Sequence, residues 1–181
     1  MDRMKVIVSE RIADEGIQLL KKHLDVDYRE NITREELLSI IDQYDALIVR
    51  SVTKVNEELV KRATKLKVVG RAGNGIDNID VDVCTRHGII VANTPDSNTI
   101  SAAEQTIALL LASIRKIPWA NNTLKSGVWD RKPFQGIELY GKTVGIIGLG
   151  RIGSMVATRL KAFNMRVIAY DPYIADERFE R

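Results

Sequence analysis

Lys142-Thr143-Val144-Gly145-Ile146-Ile147-Gly148-Leu149-Gly150-Arg151-Ile152-Gly153, running on through Ser154 to Arg166-Val167-Ile168-Ala169-Tyr170-Asp171, is the stretch whose reading decides the fold. An apolar run meets three spaced glycines, an amphipathic segment follows, and a second apolar run stops at an acid about 20 residues past the first glycines. Gly148 permits the tight turn off a strand, Gly150 leaves the backbone open to a pyrophosphate, and Gly153 lets a helix sit close to its sheet. Free N–H groups at the helix start face the phosphates, and the helix dipole favours their charge. Ile152, Val156, Leu160 and Phe163 recur at helical spacing as the packed face, with Arg151, Arg159 and Lys161 in solvent. Asn164 supplies a left-handed stop. Asp171 can accept hydrogen bonds from both hydroxyls of an adenosine ribose and repels a 2′-phosphate, so NAD is expected over NADP. A glycine triplet alone is commonly only a turn; here two strands, a helix and an acid fall where a βαβ cofactor cradle needs them.

The remaining composition narrows the class. The chain has 181 residues, 45% apolar and 28% charged, with a net charge of +3 from interspersed signs. Such a chain is globular, and it lacks the basic block that tracks a nucleic-acid backbone. Met1-Asp2-Arg3-Met4-Lys5 leads straight into an apolar strand rather than into a leader, and no apolar run reaches the length of a membrane span. The single cysteine, Cys84, allows no internal disulfide, reads as a buried structural thiol, and makes the cytoplasm the expected compartment. No metal site is expected.

Upstream, strand and helix signals alternate. Lys5–Val8 reads as a strand and Ile12 to Leu24 as a helix with Ile12, Leu19, Leu20 and Leu24 on one face. Thr33-Arg34-Glu35-Glu36 is a capping box, Ala46–Val49 a buried strand, and Asn56 a helix cap. Strands follow at Lys67–Val69 and Ile89–Val91. This alternation implies a parallel sheet covered by helices, with ligands at the carboxyl ends of its strands. Two loops lie there: Arg50-Ser51-Val52-Thr53-Lys54 and Gly70-Arg71-Ala72-Gly73-Asn74-Gly75-Ile76-Asp77. Their glycine N–H groups and two guanidinium groups suit a carboxylate or phosphate.

The turn-rich Asn93-Thr94-Pro95-Asp96-Ser97-Asn98 marks a boundary. Ser101-Ala102-Ala103-Glu104 reads as a second capping box opening an apolar helix that Pro118 stops near Ile117. The arm from Trp119 to Tyr140 carries Trp129, Arg131 and Phe134 without strong secondary-structure signals, and is apolar enough to lie against a protein surface.

Taken together, these residues resemble the D-2-hydroxyacid dehydrogenases. The resemblance rests on Leu47-Ile48-Val49-Arg50-Ser51 with Thr53-Lys54-Val55, on Gly70 to Asp80, on Asn93-Thr94-Pro95 with Ser101–Glu104, and on Gly141 through Asp171-Pro172. The wording of the Arg50 and Arg71 loops is most similar to the 3-phosphoglycerate branch. The resemblance implies an α/β chain: a flavodoxin-like parallel-sheet substrate domain over residues 1–93, then the first part of a Rossmann NAD-binding domain over 94–181 with a dimerisation helix and arm. It implies oxidation of 3-phosphoglycerate to 3-phosphooxypyruvate with NAD, a step of serine biosynthesis.

By the same resemblance the substrate, a phosphorylated hydroxy acid, is contacted by Arg50, Ser51, Arg71, Ala72 and Gly73, with Arg131 reaching the cleft of a second subunit in a homodimer. Asn74 approaches the nicotinamide, and Gly148, Gly150, Arg151, Ile152, Gly153 and Asp171 hold the rest of the coenzyme. The family's catalytic arginine, glutamate and histidine are expected beyond residue 181, since His23 and His87 read as helix-terminal residues. The chain alone is therefore expected to be an inactive N-terminal portion. The alternatives are a hydroxypyruvate or glyoxylate reductase of the same family and a non-catalytic NAD-responsive interaction protein.

Overall fold

A computed structural model describes residues 3–174; Met1-Asp2 and the last residues of the expected second domain lie outside it. The chain divides after Ser97 into two units. That is a few residues beyond Asn93, because Thr94 still donates its N–H to Gly73 O at 3.0 Å.

The first unit is built from β1 (Lys5–Val8), α1 (Asp14–His23), β2 (Asp25–Tyr28), α2 (Arg34–Ile40) with a 3₁₀ turn at Ile41–Gln43, β3 (Ala46–Val49), α3 (Glu57–Arg62), β4 (Val68–Arg71), α4 (Val81–Arg86) and β5 (Ile90–Asn93). All strands run parallel in the order β2-β1-β3-β4-β5, the flavodoxin-like order expected. Ile7, Leu47, Val49 and Val69 are fully buried in the central strands, and Leu37, Ile41, Leu59, Val60 and Cys84 pack over them. Burial first, then Asp80, pushes the Cys84 thiol above its ordinary value, so it stays protonated and inert.

Several local expectations change. Strand β2 (Asp-Val-Asp-Tyr) lacks an apolar run; as an edge strand it tolerates charge. Leu19 is exposed, because it lies two residues, about 200°, round α1 from the buried Ile17. At Thr33 only half the capping box forms: Thr33 Oγ1 accepts from Glu36 N at 3.2 Å, while the Glu36 carboxylate takes Arg29 at 2.6 Å. Asn56 caps α3 as expected, accepting from Leu59 N at 3.3 Å.

The second unit holds α5 (Thr99–Ile114), α6 (Ile117–Lys125), a 3₁₀ turn at Lys132–Phe134, β6 (Thr143–Ile147), α7 (Arg151–Ala162) and β7 (Arg166–Tyr170). β6 and β7 pair in parallel, with α7 as the crossover. Ala103, Ile107, Leu139, Val156 and Leu160 form the core between α5 and α7, and Glu104 meets Arg159 at 3.7 Å. Arg159 is thus half-buried rather than solvated, and Phe163, just past the helix end, is 39% exposed rather than packed. Asn164 adopts the left-handed conformation with φ 58°.

Ser101 does not cap α5; the helix begins earlier, at the buried Thr99, with Asn98 in the cap position. Pro118 does not end a helix but opens one: Lys116 turns the chain with φ 54°, and Pro118 sits in the first turn of α6, where its missing N–H has no intrahelical partner to lose. The arm expected to be irregular is therefore partly helical. No helix among the described residues is long and apolar enough to cross a membrane.

Candidate functional site

In the first unit the carboxyl ends of β3 and β4 carry the two arginine loops, flanked by those of β1 and β5. The loop after β3 wraps around a residue the sequence did not single out. Glu10, 9% exposed just past β1, accepts four consecutive backbone N–H groups: Arg50 at 2.9 Å, Ser51 and Val52 at 3.0 Å, and Thr53 at 2.9 Å. Burial alone raises its pKa, but these four donors outweigh it and hold the carboxyl below the ordinary glutamate value. From the other side Asn78 Nδ2 donates to Arg50 O at 3.0 Å and Thr53 O at 2.7 Å. The Arg50 guanidinium donates to Arg11 O at 3.2 Å and, with Arg11, Ile12, Asp14, Ala72 and Thr94, lines a cleft of about 400 Å³.

The second loop leaves β4 at Arg71, whose Nη1 donates to Asp77 at 2.6 Å. The largest influence on Asp77 is that bond, which lowers its pKa. Arg71 Nε is buried and meets no acceptor among the described residues. A β-carbon on Gly75 would lie 2.9 Å from Asp77 Oδ1 and 3.3 Å from Arg71 Nη1, so this glycine makes room for the ion pair. Gly73 uses its N–H on Arg71 O at 2.9 Å, and Asn93 Nδ2 donates to Asn74 O at 2.6 Å. The end of β5 thus fastens the loop that carries Asn74. Ser51 follows Arg50 on the first loop, while Ala72 and Gly73 follow Arg71 on the second.

In the second unit Gly148 turns off β6 with φ 92°, and its N–H reaches Tyr170 O at 2.8 Å. A β-carbon on Gly153 would overlap the Gly148 carbonyl, whereas one on Gly150 would meet nothing within 4 Å. Gly150 therefore presents open backbone at the start of α7, where Arg151, Ile152 and Gly153 form the first turn and N–H groups lack helical partners. Asp171 Oδ2 accepts from Leu149 N at 2.7 Å and Oδ1 from Tyr173 N at 2.9 Å. A carboxylate has about four acceptor positions, so each oxygen keeps one for a ribose hydroxyl. These residues fit the adenosine and pyrophosphate half of a dinucleotide. Arg131 lies apart from them, in a groove of about 240 Å³ with Leu124, Trp129 and Phe134. His23 ends α1, and His87 closes α4, its Nδ1 2.9 Å from Val83 O.

The sequence did not mark Glu10, Asn78 or Asn93 as site residues, although Asn93 opens the boundary turn. The rule that ligands gather at strand ends points to positions at and just past the carboxyl ends of strands; Asn93 as the last residue of β5 and Glu10 just past β1 satisfy it, and Asn78 left no comparable signal.

A parallel flavodoxin-like sheet followed by a glycine-turn βαβ defines a dehydrogenase-like α/β chain, and the chain belongs to the family described as D-isomer specific 2-hydroxyacid dehydrogenase, catalytic domain, whose family model matches residues 6–175. Among curated proteins it is 51% identical over 179 residues to a D-3-phosphoglycerate dehydrogenase of Archaeoglobus fulgidus, covering 98% of this chain and 34% of that protein. It is 52% identical over 174 residues to a D-3-phosphoglycerate dehydrogenase of Methanocaldococcus jannaschii, covering 96% and 33%. The chain thus spans about a third of the length of the curated relatives it matches. Among solved structures, the TT0316 protein from Thermus thermophilus superposes with a TM-score of 0.87 at 31% identity, covering 96% of this chain and 58% of that one.

Proposed function

We propose that this chain carries the substrate-binding part and the first coenzyme-binding part of an NAD-dependent D-3-phosphoglycerate dehydrogenase, cytoplasmic and acting in serine biosynthesis. The observation that carries the reading is the pair of arginine loops at one end of a single parallel sheet, with Arg50 on an open cleft and Arg71 on the next strand. A substrate bearing both a carboxylate and a phosphate gives each guanidinium an anion to hold, and bidentate contacts fix the orientation of the carbon between them. The coenzyme, when bound, supplies the hydride acceptor. Asp171 selects NAD by accepting from ribose hydroxyls and repelling a phosphate. Because His23 and His87 close helices, neither is assigned the proton transfer. The relatives' names support the substrate assignment. A homodimer in which Arg131 reaches the partner's cleft completes the proposal.

Calorimetric titration of the chain tests it. NADH is expected to bind more tightly than NADPH, with Asp171→Ala erasing the preference. 3-Phosphoglycerate is expected to bind more tightly than glycerate, lactate or glyoxylate, and Arg50→Ala to weaken it about 10- to 100-fold, the worth of a charge-assisted hydrogen bond. Equal binding of glycerate and 3-phosphoglycerate refutes the phosphorylated substrate.

A further inference from the structure

We infer that Glu10 and Asn78 are positioning residues that shape the Arg50 loop and tie it to the Arg71 loop, making the two one preformed surface for a phosphate or carboxylate. The inference rests on the substrate reading above for the identity of the anion, and on geometry for the brace itself.

Glu10 is a buried carboxylate with no ion-pair partner among the described residues, an arrangement that is costly unless its oxygens are satisfied. Here four successive N–H groups converge on them: Oε1 takes Arg50 and Thr53, and Oε2 takes Ser51 and Val52. Four consecutive amides can point at one carboxylate only if the backbone curls around it, so Glu10 dictates the loop's shape. Ser9 adds a contact between its hydroxyl and that of Thr53 at 2.9 Å.

Asn78 secures the opposite side. Its side-chain amide donates to Arg50 O and Thr53 O, and its backbone carbonyl accepts from Val55 N at 2.9 Å. Val55 and Ile79 then form a parallel bridge, with Asp80 N donating to Val55 O at 2.8 Å. Since Asn78 directly follows the Arg71–Asp77 segment, the two arginine loops share one brace. Val52, 79% exposed at the tip, shows that the outer side of the curl is left open. A loop held through its donors by Glu10 and through its acceptors by Asn78 loses little entropy when an anion arrives.

The test combines amide hydrogen exchange with calorimetry on the 181-residue chain, using inorganic phosphate and 3-phosphoglycerate as probes. Glu10→Gln sets an amide group against two of the four N–H donors. Exchange at residues 50–53 is expected to quicken about tenfold, and phosphate to bind about tenfold more weakly. Amides of β1 and β4 keep wild-type protection, and circular dichroism confirms folding at the titration temperature. Glu10→Asp, which keeps the charge, recovers part of the affinity. Asn78→Ala keeps the carboxylate and independently weakens phosphate binding, so the claim stands testable if Glu10→Gln fails to fold. Wild-type phosphate affinity in Glu10→Gln or in Asn78→Ala overturns the inference, as does failure of the wild type to bind either anion. If phosphate binds and responds to these variants while 3-phosphoglycerate gains nothing over glycerate, the brace stands and the substrate reading falls.

Discussion

Gly150 and Gly153 lie three residues apart and do different work. Gly153 is pressed against the Gly148 carbonyl, while Gly150 faces open space. Gly153→Ala should therefore destabilise the second unit by about 1–3 kcal/mol, the range for overpacking. Gly150→Ala, in extended backbone with φ −69° and ψ −160°, should cost about 1 kcal/mol or less yet obstruct a pyrophosphate. Thermal unfolding alongside NADH titration separates them, and equal loss of stability in both variants would contradict the assigned roles. Glycines were legible in the sequence because their requirement is local, set by a turn and a close approach. Glu10 was not: its four donors lie 40 or more residues away along the chain, and nothing in its neighbourhood announces them.

Among the elements, β2 best illustrates tertiary override. It holds the sheet edge with charged residues because Asp27 is bonded to Arg29 at 2.9 Å and to the Tyr44 hydroxyl. Burial, followed by the hydrogen bond to Asp27, pushes the Tyr44 pKa up to about 12. Since the folded value exceeds the ordinary value of 10.0, the protonated phenol contributes stability that is complete below pH 10 and lost as pH rises through about 12. Ultraviolet titration should find a tyrosine step near pH 12, distinct from Tyr28, which is also raised; in Tyr44→Phe the step near 12 disappears, and its persistence would reject the assignment. α6 shows the reverse limit of local rules. Pro118 is a fixed-φ residue that both ends and begins helices, and only the left-handed Lys116 before it decided which.

On the scale of the whole molecule, the two-stranded sheet keeps one face uncovered. Thr143, Gly145 and Ile147 alternate outward on β6, in register with Arg166, Ile168 and Tyr170 on β7. Ile147 is 90% exposed, Tyr170 65% and Ile168 52%, a contiguous apolar strip of the kind that drives association. Concentration-dependent sedimentation of the chain is the expected result, and Ile147→Lys should shift it toward the monomer by placing a charge on the strip. A wild-type chain that stays monomeric at high concentration argues against this.

The sequence by itself determined the alternation of strands and helices, the glycine turn, the acid that follows it, and the two arginine loops, because periodicity, backbone sterics and strand-end placement act over a few residues. Tertiary structure decided that Asp-Val-Asp-Tyr is a strand, that Arg71 rests on Asp77, that Asp171 also holds the Leu149 amide, and that Glu10 and Asn78 brace the Arg50 loop. Each of these depends on hydrogen-bond partners brought together by the sheet, and no local pattern encodes a partner chosen by distant packing.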